Sequence, residues 1–455
     1  MFEEATIICE ILNNHGFEAY FVGGCIRDKI MGKNPKDIDI ATDATPTEVY
    51  ASMIDRFYVA PTGEKFGTVS IIDFFSHQVL AEVTTYRSEG RYSDKRHPDT
   101  VNFEKSLIKD LSRRDLTINA IAYDPIKEEF VDPYHGQRDL NFKTLRAVGN
   151  PILRFSEDPL RMMRLFRFAS KLGFNIDLAT KNAVEVVNYL IKNVSGERVR
   201  DELIKMMETD NPKIGIMGMF ETELLFFVLP EVDRLYKVPQ PNNHHKYDVF
   251  NHCLNTMQSI SLNQYSINKP YLVLAGLLHD IGKTYPNNKS PYFPNHVDDG
   301  VKMLTNIFNR LKLSNENRYY IRFLIKHHMD GYNYINNNSK RGNRRYLSKI
   351  KNLELLKDLQ ILIHADAIGS GINKDDVINK VDLWFDNLYT MIDEKEPFSK
   401  KDLVINGNDL LEIGIPASNI LGDIQKVLLD EVLNDPNLNN REYLLKRAKD
   451  LGKVY

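Results

Sequence analysis

The strongest constraint on this chain is a change of hydrophobic period near residue 150. Before that point short β-type runs alternate with helical stretches. Ala19-Tyr-Phe-Val22 ends at Gly23-Gly24, and Ile38-Asp39-Ile40, Thr68-Val-Ser-Ile-Ile72 and Val79-Leu-Ala-Glu-Val-Thr84 read as further strands. From Asp158 to Tyr455 strand signals nearly vanish and helical patterns dominate. Strand side chains alternate between two faces, while helical ones return to one face every third or fourth residue, so one pattern cannot serve both folds. We therefore expect an α+β protein, with a small mixed-sheet head at 1–150 and all-α segments after it. These are a neck at 151–230, a body at 231–400 and a tail at 401–455. Pro239-Gln-Pro-Asn-Asn243 reads as a linker, and residues 332–345 as a polar loop carrying Lys340, Arg341, Arg344 and Arg345.

Composition narrows the class. At about 100–200 residues per domain, 455 residues imply two to four domains. A net charge of −3 excludes a uniformly basic, histone-like binder but leaves room for a local basic groove. No apolar run reaches about 18 residues, so no membrane span is expected. The start, Met1-Phe2-Glu3-Glu4, lacks a signal-peptide layout. Cys9, Cys25 and Cys253 are odd in number and far apart, which fits a reducing cytoplasm and neither disulfides nor a zinc site.

Phe21-Val-Gly23-Gly24-Cys-Ile-Arg27-Asp28 reads as strand, glycine turn and helix. Glycines let a backbone approach a ligand, a new helix offers free N–H groups to phosphate, and Arg27 adds charge one turn in. Alone, the glycine pair is also compatible with a plain tight turn. Ten residues past Arg27, Lys36-Asp37-Ile38-Asp39-Ile40 follows. On a strand Asp37 and Asp39 share a face, and two adjacent carboxylates repel unless a cation lies between them. Two Mg²⁺ ions about 4 Å apart suit such a pair and in-line phosphoryl transfer. Glu82 is either a third carboxylate for this site or an ordinary strand acid.

This order of motifs resembles the class II tRNA nucleotidyltransferases and related bacterial poly(A) polymerases, of the DNA polymerase β-type nucleotidyltransferase superfamily. Further segments follow in the family's order: Arg113-Arg114-Asp115-Leu-Thr-Ile-Asn119, Glu157-Asp158-Pro-Leu-Arg161 continued by Arg164 and Arg167, and Glu197-Arg198-Val-Arg200-Asp-Glu202. The resemblance implies a polymerase-β-like head. It also implies that Gly24 and Arg27 bind triphosphate, with Arg114 near the triphosphate or base. Asp115 and Asn119, read as i and i+4 of one helix, are suited to ribose hydroxyls. Asp158 and Arg161, three apart, offer an acceptor and a donor for a Watson–Crick edge, and in the family they act as a protein template. Arg164 lies near them. Arg167 falls on the far side of the helix from Asp158 and is carried over as a phosphate or RNA contact. Residues 86–99 match the family's flexible loop at full length, which argues for complete C-C-A addition over C-only addition.

A second constellation spans residues 244–366. His252, His279-Asp280 and Asp366 lie in helical patterns, with His296 and His327-His328 between them. The order His, His-Asp, Asp resembles the HD phosphohydrolase superfamily, and imidazoles with carboxylates suit Mg²⁺, Mn²⁺, Ni²⁺ or Fe²⁺. Some tRNA nucleotidyltransferases carry such a domain with phosphatase or phosphodiesterase activity, and others keep a lapsed site. All four core ligands stand here, so we expect a metal.

The resemblances together imply addition of C-C-A to tRNA 3′ ends from CTP and ATP, with Asp37, Asp39 and Glu82 as catalytic carboxylates and Mg²⁺ as cofactor. The alternatives are a poly(A) polymerase, an enzyme adding only part of C-C-A, and an RNA-binding HD phosphohydrolase with a dead transferase.

Overall fold

A computed structural model describes residues 2–63, 67–89, 101–241, 245–263, 266, 268–286, 292–335, 338–350 and 352–453. Residues 90–100, most of the segment matched to the flexible loop, lie outside the described residues, as do Asn242 and Asn243 of the linker. The chain divides into two compact units, Met1–Asp233 with Ile307–Leu313, and Arg234–Asn306 with Ser314–Tyr455.

The first unit is built on a mixed sheet. Its strands are β1 (Ala19–Val22), β2 (Asp39–Thr42), β3 (Tyr58–Gly63), β4 (Thr68–Ile72) and β5 (Val79–Thr85), then β8 (Ala122–Asp124) and β9 (Glu129–Val131). A separate ribbon pairs β6 (Arg87–Glu89) with β7 (Val101–Phe103). The seven-stranded order is β3-β4-β5-β2-β1-β8-β9, and β2 and β5 run parallel while the other pairs are antiparallel. The period-two alternation explains the sheet's burial. Ile38, Ile40, Val69, Ile71, Ala81 and Val83 face the core, and the intervening residues face away from it.

Helices follow from residue 151. Asn150 caps Pro151–Glu157, its side-chain oxygen accepting from the N–H groups of Ile152 (3.0 Å) and Leu153 (3.2 Å). Leu160–Leu172 buries Met162, Met163, Leu165 and Phe166 and ends at Gly173 in the left-handed region (φ 66°). Each such side chain, fully buried, contributes about 1.5–3 kcal/mol of apolar burial. Helical periodicity hid one small ladder, Thr144–Leu145 against Asn175–Ile176, because two residues are too few to show a period.

The second unit is helical. Val249–Ser261, Lys269–Leu278, Asn315–His327 and Leu356–Gly369 share a core of Phe250, Leu254, Met257, Leu274, Leu277, Leu359 and Leu362. A distinct apolar cluster, with Leu410, Ile424, Leu428, Val432 and Leu444, holds the C-terminal helices together. The expected polar loop at 332–345 is largely helix, in Asp330–Tyr334 and Lys340–Lys349. Ser339 caps the latter, and two of its cations find partners within the chain. Arg344, 6% exposed, donates to Leu433 O (2.9 Å) and pairs with Glu396 (2.8 Å), while Arg345 pairs with Asp430 (2.8 Å). Among the described residues no helix is long and apolar enough to cross a membrane.

Candidate functional site

β1 runs into Gly23, whose φ of 73° suits glycine, and the helix Gly24–Ile30 begins at once. A Cβ at Gly23 would lie 2.9 Å from Arg114 Nη1 and 3.4 Å from Asp39 Oδ2, so the turn is pressed against both functional groups. Asp39 opens β2, with Asp37 two residues before it and outside the strand proper. The parallel register sets Asp39 opposite Glu82, and Glu82 N–H donates to Ile38 O (2.9 Å). Paired residues point to the same face, so Glu82 joins Asp39 there. Burial raises the Asp39 carboxyl; Arg114 counters this, and the charges of Glu82 and Asp37 add to the rise. A carboxylate destabilised by its acidic neighbours, on a solvent-reached face, is a donor set that fits a divalent cation.

A chain of polar contacts ties this turn to the rest of the cleft. Arg27, 3% exposed, donates to Asn119 Oδ1 (2.8 Å) and to Asp28 Oδ1 (2.8 Å). Asn119 Nδ2 donates to Asp115 Oδ1 (3.2 Å), and Asp115 Oδ2 accepts from Arg164 Nε (2.8 Å). Arg167 Nε donates to Glu202 Oε2 (2.6 Å), and Arg164 lies 3.8 Å from the same carboxylate. Burial alone would raise Asp115, but Arg164 and Asn119 outweigh it and hold it far below the carboxylate range. The expected helix carrying Asp115 and Asn119 is absent. Helix Leu107–Ser112 ends first, and Asn119 closes the short 3₁₀ turn Thr117–Asn119, yet the two side chains still meet.

Asp158 and Arg161 depart from the expected helical pair. Asp158 precedes Pro159, which disfavours helical backbone, and it is extended (φ −132°, ψ 100°) between two helices. Its carboxylate takes both guanidinium nitrogens of Arg198, at 2.9 and 3.3 Å. Arg161 instead bonds Glu157 Oε2 (2.9 Å) and Arg113 O (2.9 Å). The Asp-Pro step was the sequence signal for this break. Arg167 is not set apart either: Gly24, Arg27, Asp37, Asp39, Glu82, Arg114, Asp115, Asn119, Asp158, Arg161, Arg164 and Arg167 all line one cleft of about 1130 Å³. Lys171, Arg198 and Lys205 line it too, and Asp110 anchors Arg113 (2.8 Å) and Arg114 (3.1 Å) behind it. Sequence reasoning assigned no role to these four.

In the second unit His252 and Asp366 converge from two helices, and His279 and Asp280 from the turn that follows Lys269–Leu278. His252 Nε2 lies 2.9 Å from Asp366 Oδ1 and 3.1 Å from His279 Nε2, and His279 Nε2 lies 3.3 Å from Asp280 Oδ2. The turn after Asp280 needs Gly282, because a Cβ there would meet His296 O and Gly300 N. Burial would raise the Asp280 carboxyl, yet Lys283 and His279 hold it well below the carboxylate range. The donor atoms of His252, His279 and Asp366 lie within 4.8 Å of one another, so the set fits a divalent ion. Asp280 and Asp366 open on a pocket of about 290 Å³, lined also by His245, Tyr292, Phe293, His296, His328, Tyr332 and Lys374.

Known proteins place these sites. The poly A polymerase head domain matches residues 19–146, a probable RNA- and SrmB-binding site of polymerase A matches 173–236, and the HD domain matches 249–369. A CCA-adding enzyme of Ligilactobacillus salivarius is 32% identical over 465 residues, covering 99% of this chain and 96% of that protein. The chain belongs to the CCA-adding enzymes. It is thus a nucleotidyltransferase of that family with an HD domain. Its fold matches the Bacillus stearothermophilus CCA-adding enzyme in complex with CTP, with a TM-score of 0.69, 23% identity and coverage of 100% of this chain and 99% of that one. It also matches the Thermotoga maritima CCA-adding enzyme complexed with tRNA, with a TM-score of 0.60, 20% identity and coverage of 98% and 94%. The carboxylates of the cleft, Asp37, Asp39 and Glu82, therefore lie in the segment matching the head domain, its wall from Asp158 to Lys205 lies beyond that segment, and the histidine cluster lies in the HD domain.

Proposed function

We propose that this protein adds C, C and A in turn to the 3′ end of tRNA, using CTP and ATP and no nucleic-acid template. The carrying observation is the register that sets Asp39 and Glu82 on one face beside the Gly23 turn, in a cleft that also holds Asp158 and Arg161. Asp37 and Asp39, with Glu82 beside them, would hold Mg²⁺, and that ion would supply positive charge for the departing pyrophosphate and for deprotonation of the tRNA 3′-hydroxyl. Gly24 and Arg27 grip the triphosphate, with Arg114 adding charge beside Gly23. Asn119 and Asp115 receive the ribose. Asp158 accepts from the amino group of cytosine or adenine, and Arg161 donates to the ring. Arg198 fixes the Asp158 carboxylate, while Arg164, Arg167 and Glu202 keep the reading helix in place.

In our reading the chain comprises a head (1–150), a neck (151–230), a body with the HD domain (231–400) and a tail (401–455). Body and tail hold tRNA by phosphate contacts and shape rather than sequence. The HD residues would hold Mn²⁺, Ni²⁺ or Fe²⁺, and that ion would supply Lewis-acid chemistry for hydrolysis of a phosphoester; the protein would work in the cytoplasm. The test offers tRNA lacking its 3′ end, tRNA ending in C-C, and each labelled nucleotide. Completed C-C-A is expected. A long A tail or an arrested C or C-C end would overturn the reading.

A further inference from the structure

The sheet face that carries the carboxylates continues past them. Along a strand every second side chain shares a face, at about 7 Å spacing. Thr84 therefore stands on the face of Glu82, and the antiparallel register sets Thr68 directly opposite Thr84. Their hydroxyls bond each other at 3.0 Å. Both threonines are half-buried and both line the cleft. None of the roles proposed above falls on them. The registers also give the cleft a direction. β1 and β2 pair Phe21 with Ile40, and β2 and β5 pair Ala41 with Thr84. Gly23, two residues past Phe21 on the antiparallel strand, thus lies beyond Asp39 on one side, and Thr84 lies beyond it on the other.

In nucleotidyl transfer the attacking and leaving oxygens stand roughly in line, on opposite sides of the phosphorus. With the triphosphate at Gly24 and Arg27, pyrophosphate leaves toward the Gly23 turn and the attacking 3′-hydroxyl comes from the threonine side. The nucleotide that bears this hydroxyl is not constant. It is first the tRNA's own end, then each added C. A subsite for it has to bind what these ends share, the ribose 2′-hydroxyl beside the attacking group. One threonine hydrogen bridges Thr68 and Thr84, which leaves the second hydrogen, and lone pairs on both oxygens, for a ligand that both donates and accepts. We propose that Thr68 and Thr84 bind the ribose 2′-hydroxyl of the acceptor strand's terminal nucleotide, and so select an RNA end whatever its base. This rests on the proposed addition to tRNA and deepens it by assigning the acceptor's sugar a place in the cleft.

The test uses the full-length protein, ATP, and tRNA ending in C-C whose last residue is either cytidine or 2′-deoxycytidine. The deoxy end keeps the 3′-hydroxyl that reacts. For wild type, kcat/KM for the deoxy end should be about fivefold lower, the worth of one hydrogen bond. Thr68→Val, Thr84→Val protein should use both ends equally with an unchanged KM for ATP. Removing both partners together leaves no unmatched hydroxyl in the fold. Thr84→Ser, which keeps the hydroxyl pair, should retain the preference. Equal use of both ends by wild type overturns the proposal, and that measurement depends on no variant folding. A preference retained in the double valine variant removes Thr68 and Thr84 from the subsite. A raised KM for ATP in that variant places them at the incoming nucleotide and equally overturns it. No addition of A to either end by wild type overturns the proposed function itself.

Discussion

In the head, Asp37, Asp39 and Glu82 are spread along one cleft, and their ligand atoms do not all crowd within 4.8 Å. In the HD domain three such crowded sets occur, all among residues buried or nearly so, and among the described residues all such sets lie there. On the function proposed above, the contrast follows from what each site would hold. Mg²⁺ loses its water reluctantly and is bound by one or two carboxylates plus the phosphates of its substrate, so an open pair of acids suffices. Imidazole-liganded ions are gripped by the protein itself, so their ligands are assembled beforehand and fixed by second partners such as the carbonyls of Gly276, Phe293 and Ile325. On that reading the head site would be completed by substrate, and the HD site is already assembled by the fold.

The largest effect should separate the two. Asp39→Ala is expected to cut nucleotide incorporation by at least about 10³-fold, about 4 kcal/mol of transition-state stabilisation, while tRNA binding and the ion content of the HD centre stay unchanged. Parallel loss of HD ions would break the comparison. Next comes Asp110→Asn, which leaves Arg113 and Arg114 without their buried partner and should cost about 3–5 kcal/mol near neutral pH. Burial raises the Asp110 carboxyl, but Arg114 and Arg113 bring it below its ordinary value. A depressed carboxyl stabilises the fold above its unfolded pKa of about 3.9, and that contribution fades as pH falls through the lower folded value. Melting curves should therefore show a constant gap between wild type and variant from pH 5 to pH 8, narrowing below about pH 4. A gap unchanged at acid pH would show that these ion pairs do not carry the effect.

Arg198→Ala is a smaller perturbation. It leaves Asp158 without its bidentate partner, and kcat/KM for both CTP and ATP should fall about tenfold, about 1.4 kcal/mol, with Arg198→Lys recovering part of the loss. Unchanged nucleotide kinetics would reduce the pair to a surface contact. The smallest effect is expected for Arg345→Ala. Its pair with Asp430 is 39% and 56% exposed, so denaturation should shift by no more than about 0.5 kcal/mol.

The sequence by itself determined the change from mixed sheet to helices near residue 150, several strands of the head and the family. Period-two runs located β1, β4 and β5 to within a residue, because each buries one face. They also put Asp39 on the face opposite Ile38 and Ile40, and motif order named the family. Some of the rest was legible but missed, since Pro159 after Asp158 signals a helix break. What only the tertiary structure decided is which charged groups meet. Asp158 finds Arg198 forty residues away, and Arg344 is spent on Leu433 and Glu396. His296 and His328 close on Asp280 from separate helices. Local periodicity fixes the face on which a side chain lies, but a long polar side chain takes its partner from whichever element packs against that face. That choice depends on burial across the whole unit, which no window of sequence contains.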